Sequence, residues 1–508
     1  MRYGFVIDQR RCIGCHACTV ACKEENQVPL GAFRTWVKYV ERGTFPHTRR
    51  YFAVLRCNHC DAAPCVTICP TVALYRRPDG IVDFDGARCI GCKSCMQACP
   101  YDALYIDPDT RTAAKCNYCA HRVEVGLEPA CVIVCPEQAI IAGDLDDPES
   151  RIARLVGREQ IQVRKAEQGT RPKVFYVGAD AAALTPELQA SGEGYLWAER
   201  PAAEVDLVRM VVAAGARDDD RALTRTVYDV PREPRPWGWK VAGYLWTKSV
   251  AAGALLVAAL GVLSGGQPTG WLLGQAAPLL ALVFVLATTA LLVLDLKRPE
   301  RFLYVLFKPN LRSWLVWGAF ILLAYGAVAG LWLLAALADD ATLVRILALP
   351  ALPLAAATAG YSAFLFGQAE GRDFWQSPLL LPQLLVGAEV AGAAALLVVA
   401  FFARVNVEEL WWLGVTMASA LALQAIVLVA ELSTGHANAD AARAARLISR
   451  GPWRTPFWAG VVAAGTVLPI VLVWPNPYSA VLGALLALVG LWIYEDLWLK
   501  AGQAVPLS

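Results

Sequence analysis

From about Val241 onward the chain alternates long apolar stretches with short polar loops; before that point polar and apolar residues are closely mixed. Eight apolar stretches stand out, at roughly 241–263, 271–294, 313–336, 343–367, 378–402, 411–433, 457–474 and 478–499. Most reach the ~20 residues that cross ~30 Å of hydrocarbon at ~1.5 Å per residue. Helices satisfy their own backbone polar groups in lipid, so the pattern predicts an all-α integral membrane bundle of eight transmembrane helices over 241–508. Eight crossings bring the bundle back to the side on which it starts, the side that carries the preceding polar segment (the head). Residues 1–145 read as short loops and turns around cysteines, and 146–240 as a soluble extension and linker without cysteine. Within the extension, Pro172–Gly178 (PKVFYVG) predicts a short strand and Asp218–Arg225 an acidic–basic surface stretch. Pro231–Gly238 (PREPRPWG) predicts an extended linker.

Composition sharpens this division. All 16 cysteines lie between Cys12 and Cys135, and 15 of the 17 tryptophans lie from Trp237 onward. Hydrophobic residues make up 56 % and charged residues 18 %, which argues against disorder. A net charge of +2 gives no reason to expect nucleic-acid binding. Met1–Arg11 has no apolar core, and Arg10 and Arg11 lack the hydrophobic stretch of a twin-arginine signal, so no export signal is expected. Head-side loops are rich in basic residues (Lys297, Arg298, Arg301, Lys308 and Arg312 in one loop alone), whereas the far side offers Arg345 and Arg404. The positive-inside bias therefore predicts a cytoplasmic head; the rival reading is that these arginines dock the head or a quinone.

The cysteines fall into four runs with none left over. C-x2-C-x2-C-x3-C occurs at Cys12, Cys15, Cys18 and Cys22, and again at Cys89, Cys92, Cys95 and Cys99. C-x2-C-x4-C-x3-C occurs at Cys57, Cys60, Cys65 and Cys69, and C-x2-C-x11-C-x3-C at Cys116, Cys119, Cys131 and Cys135. In such runs three thiolates hold one cubane and the fourth reaches the neighbouring cluster, so runs work in pairs and four runs predict four [4Fe–4S] clusters. Zinc sites use separated C-x2-C knuckles and would not need a repeated fourth cysteine; disulfides need an oxidising compartment. Spacing alone leaves open which runs pair.

Ionisable residues in the apolar stretches are few, and such residues are costly there and usually functional. Threading the spans brings Lys248, Asp295, Gln368, Arg372, Glu431 and His436 towards the head side, with Glu495 and Asp496. A quinone takes up two electrons and two protons, so a polar bed beside an iron–sulfur head predicts a quinone/quinol pocket (menaquinone or ubiquinone) formed by those six residues. Glu389, about 11 residues into its span and thus roughly 16 Å deep, is a candidate for a proton path.

The stretches CIGCHACTVACKEEN, CNHCDAAPCVTICP, CIGCKSCMQACPYDA and CNYC…CVIVCP resemble the four-cluster ferredoxin subunits of molybdopterin oxidoreductases, of the DMSO reductase and polysulfide reductase type. The resemblance implies an α+β ferredoxin-like iron–sulfur head of two fused dicluster ferredoxin units, with the first run paired with the fourth and the second with the third. On that pairing Cys12, Cys15, Cys18 and Cys135 hold one cluster, and Cys22, Cys116, Cys119 and Cys131 the next. Cys57, Cys60, Cys65 and Cys99 hold the third, and Cys69, Cys89, Cys92 and Cys95 the fourth. Leu294–Phe302 (LDLKRPERF), Lys308–Trp314 (KPNLRSW), Ala359–Ser377, Glu431–His436 (ELSTGH) and Ala501–Ser508 resemble the NrfD/polysulfide reductase membrane subunits, usually encoded apart from the ferredoxin subunit. Together they imply a non-catalytic electron-transfer and membrane-anchor subunit in a prokaryotic inner membrane. Such a subunit links a large catalytic partner, a molybdenum or tungsten bis-pterin enzyme, to quinone. Nickel–iron hydrogenases and alternative respiratory complexes use the same parts; an ion pump or transporter with a redox-sensing head is the alternative of another class.

Overall fold

The computed structural model describes residues 1–44, 46–191, 224–230, 235–403, 405–474 and 476–508. Most of the stretch expected at 218–225, the first half of the linker and Arg404 lie outside the described residues.

The head is built on two four-stranded sheets. In the first, Tyr3–Asp8 lies between Ile140–Asp144, antiparallel to it, and Val174–Val177, parallel to it. Five of its six residues are buried, as expected of a strand covered on both faces. Val174–Val177 is the strand predicted within Pro172–Gly178, and its Val174 is in register with Phe5. The second sheet centres on a hairpin, Thr35–Thr44 with His47–Arg56, and Thr224–Tyr228 extends it. Two ten-residue strands are longer than the short loops and turns expected of this region. Strands from the extension thus complete both sheets of the cysteine-rich segment. Two small hairpins, Leu74–Arg76 with Val82–Phe84 and Leu104–Ile106 with Ala113–Lys115, stand beside the middle cysteine runs.

Among the described residues seven helices are long and apolar enough to cross a membrane: Trp239–Leu263, Trp271–Asp295, Trp314–Leu337, Ala341–Gly367, Leu380–Phe402, Val407–Ser433 and Pro477–Ala504. The eighth apolar run forms the shorter helix Pro456–Leu472, wound as a π-helix over Pro456–Val467. Thr466 Oγ1 donates to the Val461 carbonyl five residues back (2.9 Å), the spacing of that wider coil. The first helix is the axis of the bundle. It is buried along most of its length and packs on the second, fourth, fifth and last long helices.

Small residues allow that axis to be approached closely, as in membrane bundles generally. A Cβ on Gly253 of the first helix would run into the Ala388 carbonyl of the fifth, and one on Gly392 into the Gly253 backbone. Gly465 and Gly490 make a similar contact between the short helix and the last one. Gly392→Ala should therefore cost about 1–3 kcal/mol and lower the melting temperature of the detergent-solubilised protein. Gly326→Ala, at a position with open space around it, should leave that temperature unchanged.

Candidate functional site

The cysteine loops share one local design. Gly14 (φ 72°) and Gly91 (φ 70°) turn the two C-I-G-C segments through the left-handed region. His16 and Lys93 do the same just before the short helices Ala17–Glu25 and Ser94–Ala98, which carry the next cysteines. All 16 cysteines are unbridged. Cys12, Cys15, Cys18 and Cys135 line one cavity, and Cys69, Cys89, Cys92 and Cys95 line another. Elsewhere the thiols group electrostatically. Burial pushes Cys22 up, and Cys116, Cys131 and Cys119 add to the effect. Burial likewise pushes Cys65 up, with Cys99, Cys57 and Cys60 as its neighbours. These are the four groups that the family resemblance implies. They adjoin in order: Cys57 is a neighbour of Cys116, and Cys95 of Cys65. In two of the groups the cysteines ring a cavity, which suits a body of several atoms.

Buried cations stand between these groups. Arg56, 1 % exposed, donates through Nη1 to Cys131 Sγ (3.2 Å). Burial pulls its guanidinium down, but Cys131, Cys116 and Cys18 outweigh that and push it up. Its Nε and Nη2 are buried with no protein acceptor. Orphaned buried donors are rare in proteins, and cluster sulfurs would accept from them. Lys115, fully buried, donates to the carbonyls of Val82 and Cys116 (the latter at 2.9 Å) and lies beside Cys57. Sequence reasoning passed over both residues, although each directly precedes a cysteine run.

The outer end of the series is open: Cys15 is exposed, and Cys12 and Cys135 are partly so. The inner end abuts the membrane domain. Around the Cys69–Cys89–Cys92–Cys95 cavity, loop carbonyls take donors from the bundle. Cys69 O accepts from Asn310 Nδ2 (2.8 Å), Cys89 O from Arg301 Nη1 (3.0 Å) and Cys92 O from Trp237 Nε1 (3.1 Å). The backbone N–H groups of Arg298 and Lys297 reach Ile90 O and Gly91 O. Gly91 must be glycine twice over, since a Cβ there would strike Lys297. Lys93, from the cavity wall, is 5 % exposed and clasps Asp295 at the end of the second helix (2.9 and 3.0 Å).

The six residues expected to form one polar bed are distributed over this junction. Asp295 is the one paired with Lys93. Arg372 donates to Gln97 Oε1 (2.9 Å) and Val505 O (3.1 Å), and Gln97 continues to Gln503 Oε1 (2.7 Å). Burial pulls the Arg372 guanidinium down to about 10, against the opposing influence of Asp102, so it keeps its charge at neutral pH. Gln368 accepts from Trp314 N (2.9 Å) and donates to Arg312 O (2.6 Å), which joins the third and fourth helices. Lys248 lies inside the bundle, bonded to Ala359 O and Ser362 Oγ. Glu431 accepts from the Tyr494 hydroxyl (3.1 Å). Burial and Arg446 pull the His436 imidazole down. Glu389 is half-buried, with no hydrogen-bond or ion-pair partner among the described residues.

Fold and site together define a membrane-anchored iron–sulfur protein. Residues 230–506 match the family described as Polysulphide reductase, NrfD, and the chain belongs to that family. Residues 48–145 match a 4Fe-4S dicluster domain and 10–26 a 4Fe-4S binding domain, so ferredoxin-type domains are fused here to an NrfD membrane domain. Among curated proteins the chain is 50 % identical over 202 residues to the tetrathionate reductase B-subunit of Salmonella typhimurium, covering 39 % of this chain and 80 % of that one. It is 42 % identical over 184 residues to the polysulfide reductase B-chain of Wolinella succinogenes (35 % and 94 %). It is 44 % identical over 180 residues to protein NrfC of Escherichia coli K12 (35 % and 81 %).

Arg56 bonds Cys131 of one cysteine group and lies within electrostatic range of Cys18 of another, so removing its charge should be felt at both. Arg56→Met should move two of the iron–sulfur midpoint potentials negative, on the order of tens of millivolts, in an EPR-monitored redox titration, and leave the others in place.

Proposed function

We propose that this chain conducts electrons between a separate catalytic subunit and a membrane quinone, holding four [4Fe–4S] clusters in the four cysteine groups above. When bound, the clusters supply one-electron carriage. The chain's own residues space them, offset their negative charge with Arg56 and Lys115, and seal the inner one against the bundle. The observation that carries this reading is the junction at Cys69, Cys89, Cys92 and Cys95. Their loop carbonyls are bonded directly to the membrane domain, and Lys93 of the same cavity reaches Asp295. Electrons arriving there are at the edge of the bilayer, where a lipid-soluble two-electron, two-proton acceptor can be met. Of the six residues read as the quinone pocket, Asp295 stands next to that exit. Gln368 and Arg372 serve as ties, while Glu431 and His436 border the same face.

The fused dicluster arrangement of the head is supported by the way the four groups adjoin in sequence. Eight crossings are supported by the path of the chain. The last helix ends at the junction through Gln503, and Trp458, near the start of the short helix, bonds Ser449 on the head side (2.9 Å). The helix Pro456–Leu472 must then carry the chain away so that Pro477–Ala504 can return. The basic excess of the head-side loops favours a cytoplasmic head in a prokaryotic inner membrane, although Arg301 and Arg372 are spent on docking it. The partly exposed Cys12–Cys15–Cys135 end is the natural contact for the catalytic partner. Relatives whose names mark them as one part of a tetrathionate or polysulfide reductase favour a molybdopterin-type reductase in that role.

Anaerobic purification should yield about 16 irons per chain, and Cys22→Ala should remove about four of them. One zinc per four cysteines would overturn the reading. Clusters reduced with dithionite should be reoxidised by added menaquinone; clusters that stay reduced would refute the quinone link.

A further inference from the structure

Beneath the junction, the first membrane helix carries a lysine that docking does not use. Lys248 is wholly buried, and its Nζ donates to the Ala359 carbonyl (2.7 Å) and the Ser362 hydroxyl (2.8 Å). It also lies 5.0 Å from the centre of the Tyr361 ring. All three contacts come from the fourth helix. Glu495 on the last helix lies within electrostatic range of Lys248 and bonds the neighbouring Ser249. Glu495 accepts from Ser249 Oγ through Oε1 (3.2 Å), but its Oε2 is buried with no protein partner. Tyr244, one turn nearer the head than Lys248, interacts with the same Ser362 hydroxyl and lies within electrostatic range of Asp295. Asp295 in turn is held by Lys93 of the cysteine cavity. Polar groups therefore continue from the seam to the interior through Lys93, Asp295, Tyr244, Ser362, Lys248 and Glu495.

Depth excludes the ordinary explanations. Lys248 is nine residues into its helix, about 14 Å from the head-side end. It is too deep to meet headgroups or the head. Packing alone would satisfy both oxygens of a carboxylate, and here one is left over. Ionisable side chains at this depth are expensive and usually serve chemistry.

We propose that Lys248 and Glu495 form an internal proton-exchange site that delivers a proton through Ser362 and Tyr244 to a quinone reduced at the head face. This rests on the quinone reading above. Reduction to quinol takes two electrons, from the donor side of the chain, and two protons. For the proton routed here, a Lys248 N–H bond breaks as an O–H bond forms on Ser362. The hydroxyl's own proton passes to Tyr244, and the phenol proton ends on the quinone oxygen. The Glu495 O–H bond then breaks, a bridging water carries the proton across to restore the Lys248 N–H, and the carboxylate regains a proton from head-side water. Tyr494, next in sequence, bonds Glu431 near the head-side end of its helix and marks the side from which that proton returns. Quinol oxidation runs the same steps backwards. Lys248, Ser362 and Glu495 are positioning and relay residues; none is required to touch the quinone.

The test uses the full chain in membranes with menaquinone as the probe. Redox-induced infrared difference spectra should contain a carboxylic C=O band that Glu495→Gln removes and Glu495→Asp keeps. Oxidation of pre-reduced clusters by menaquinone should slow about a hundredfold in Glu495→Gln and Lys248→Met. Ser362→Ala, a smaller change, should slow it too and guards against misfolding of the lysine variant; intact iron–sulfur absorbance reports the fold in each. If menaquinone fails to oxidise the wild-type clusters, the quinone reading falls. If it oxidises them, and Glu495→Gln retains both band and rate, the exchange site alone is overturned.

Discussion

The cysteine loops bordering the bundle expose backbone carbonyls that the head does not satisfy by itself, and the rest of the arrangement depends on how that need is met. A buried carbonyl without a donor costs about 1–3 kcal/mol. Here Cys69, Cys89, Ile90, Gly91 and Cys92 all take donors from the membrane domain. The donors come from two separate stretches: the entry to the first helix at Trp237, and the loop from Lys297 to Asn310. A third stretch, at Arg372, binds Gln97 just beyond them. Three anchor points fix a rigid body, so the inner cavity and the head face of the bundle hold one geometry. A conductor that ends at a membrane needs this, because transfer over the last gap depends on its length.

Charge follows the same line. Arg56 lies between the two outer cysteine groups, Lys115 between the two middle ones, Lys93 lines the cavity at the seam, and Arg372 lies just past it. All four are buried; Lys93 is paired with a carboxylate supplied by the membrane domain, and Asp102 acts on Arg372. Isolated buried cations are penalised unless an anion is near. A row of them beside thiols fits anionic clusters far better than neutral cysteines.

The division into head and bundle was plain in the sequence because both signals are compositional: apolar length for the helices, cysteine spacing for the groups. The spacing reaches as far as the two cavities lined by Cys12–Cys15–Cys18–Cys135 and Cys69–Cys89–Cys92–Cys95, once family pairing is added. The strand at Val174–Val177 was legible from its own apolar run, but its parallel partner Tyr3–Asp8 was not, since pairing between positions some 170 residues apart leaves no local trace. The hairpin over 35–56 is hard to read from sequence because charged and polar residues interrupt the apolar alternation of both strands. The short helix Pro456–Leu472 looks like the other apolar runs; its π-helical winding, which includes the close approach of Gly465 to Gly490, carries no compositional mark.

The polar residues of the tail were the least legible, and the reason is physical. Sequence gives a residue's depth along a helix but not the direction in which it faces. Asp295, Gln368 and Arg372 lie at helix ends, where unsatisfied backbone groups and the docked head compete for them, and all three are taken up as ties. Residues one to three turns deeper escape that competition. Tyr244 and Lys248, four apart on one helix face, turn towards the fourth and last helices, where Lys248 bonds the Ala359 carbonyl and both interact with Ser362. The bundle thus separates two tasks along one helix: its entry holds the head in place, and the next two turns present exchangeable protons, so a change that loosens one need not disturb the other.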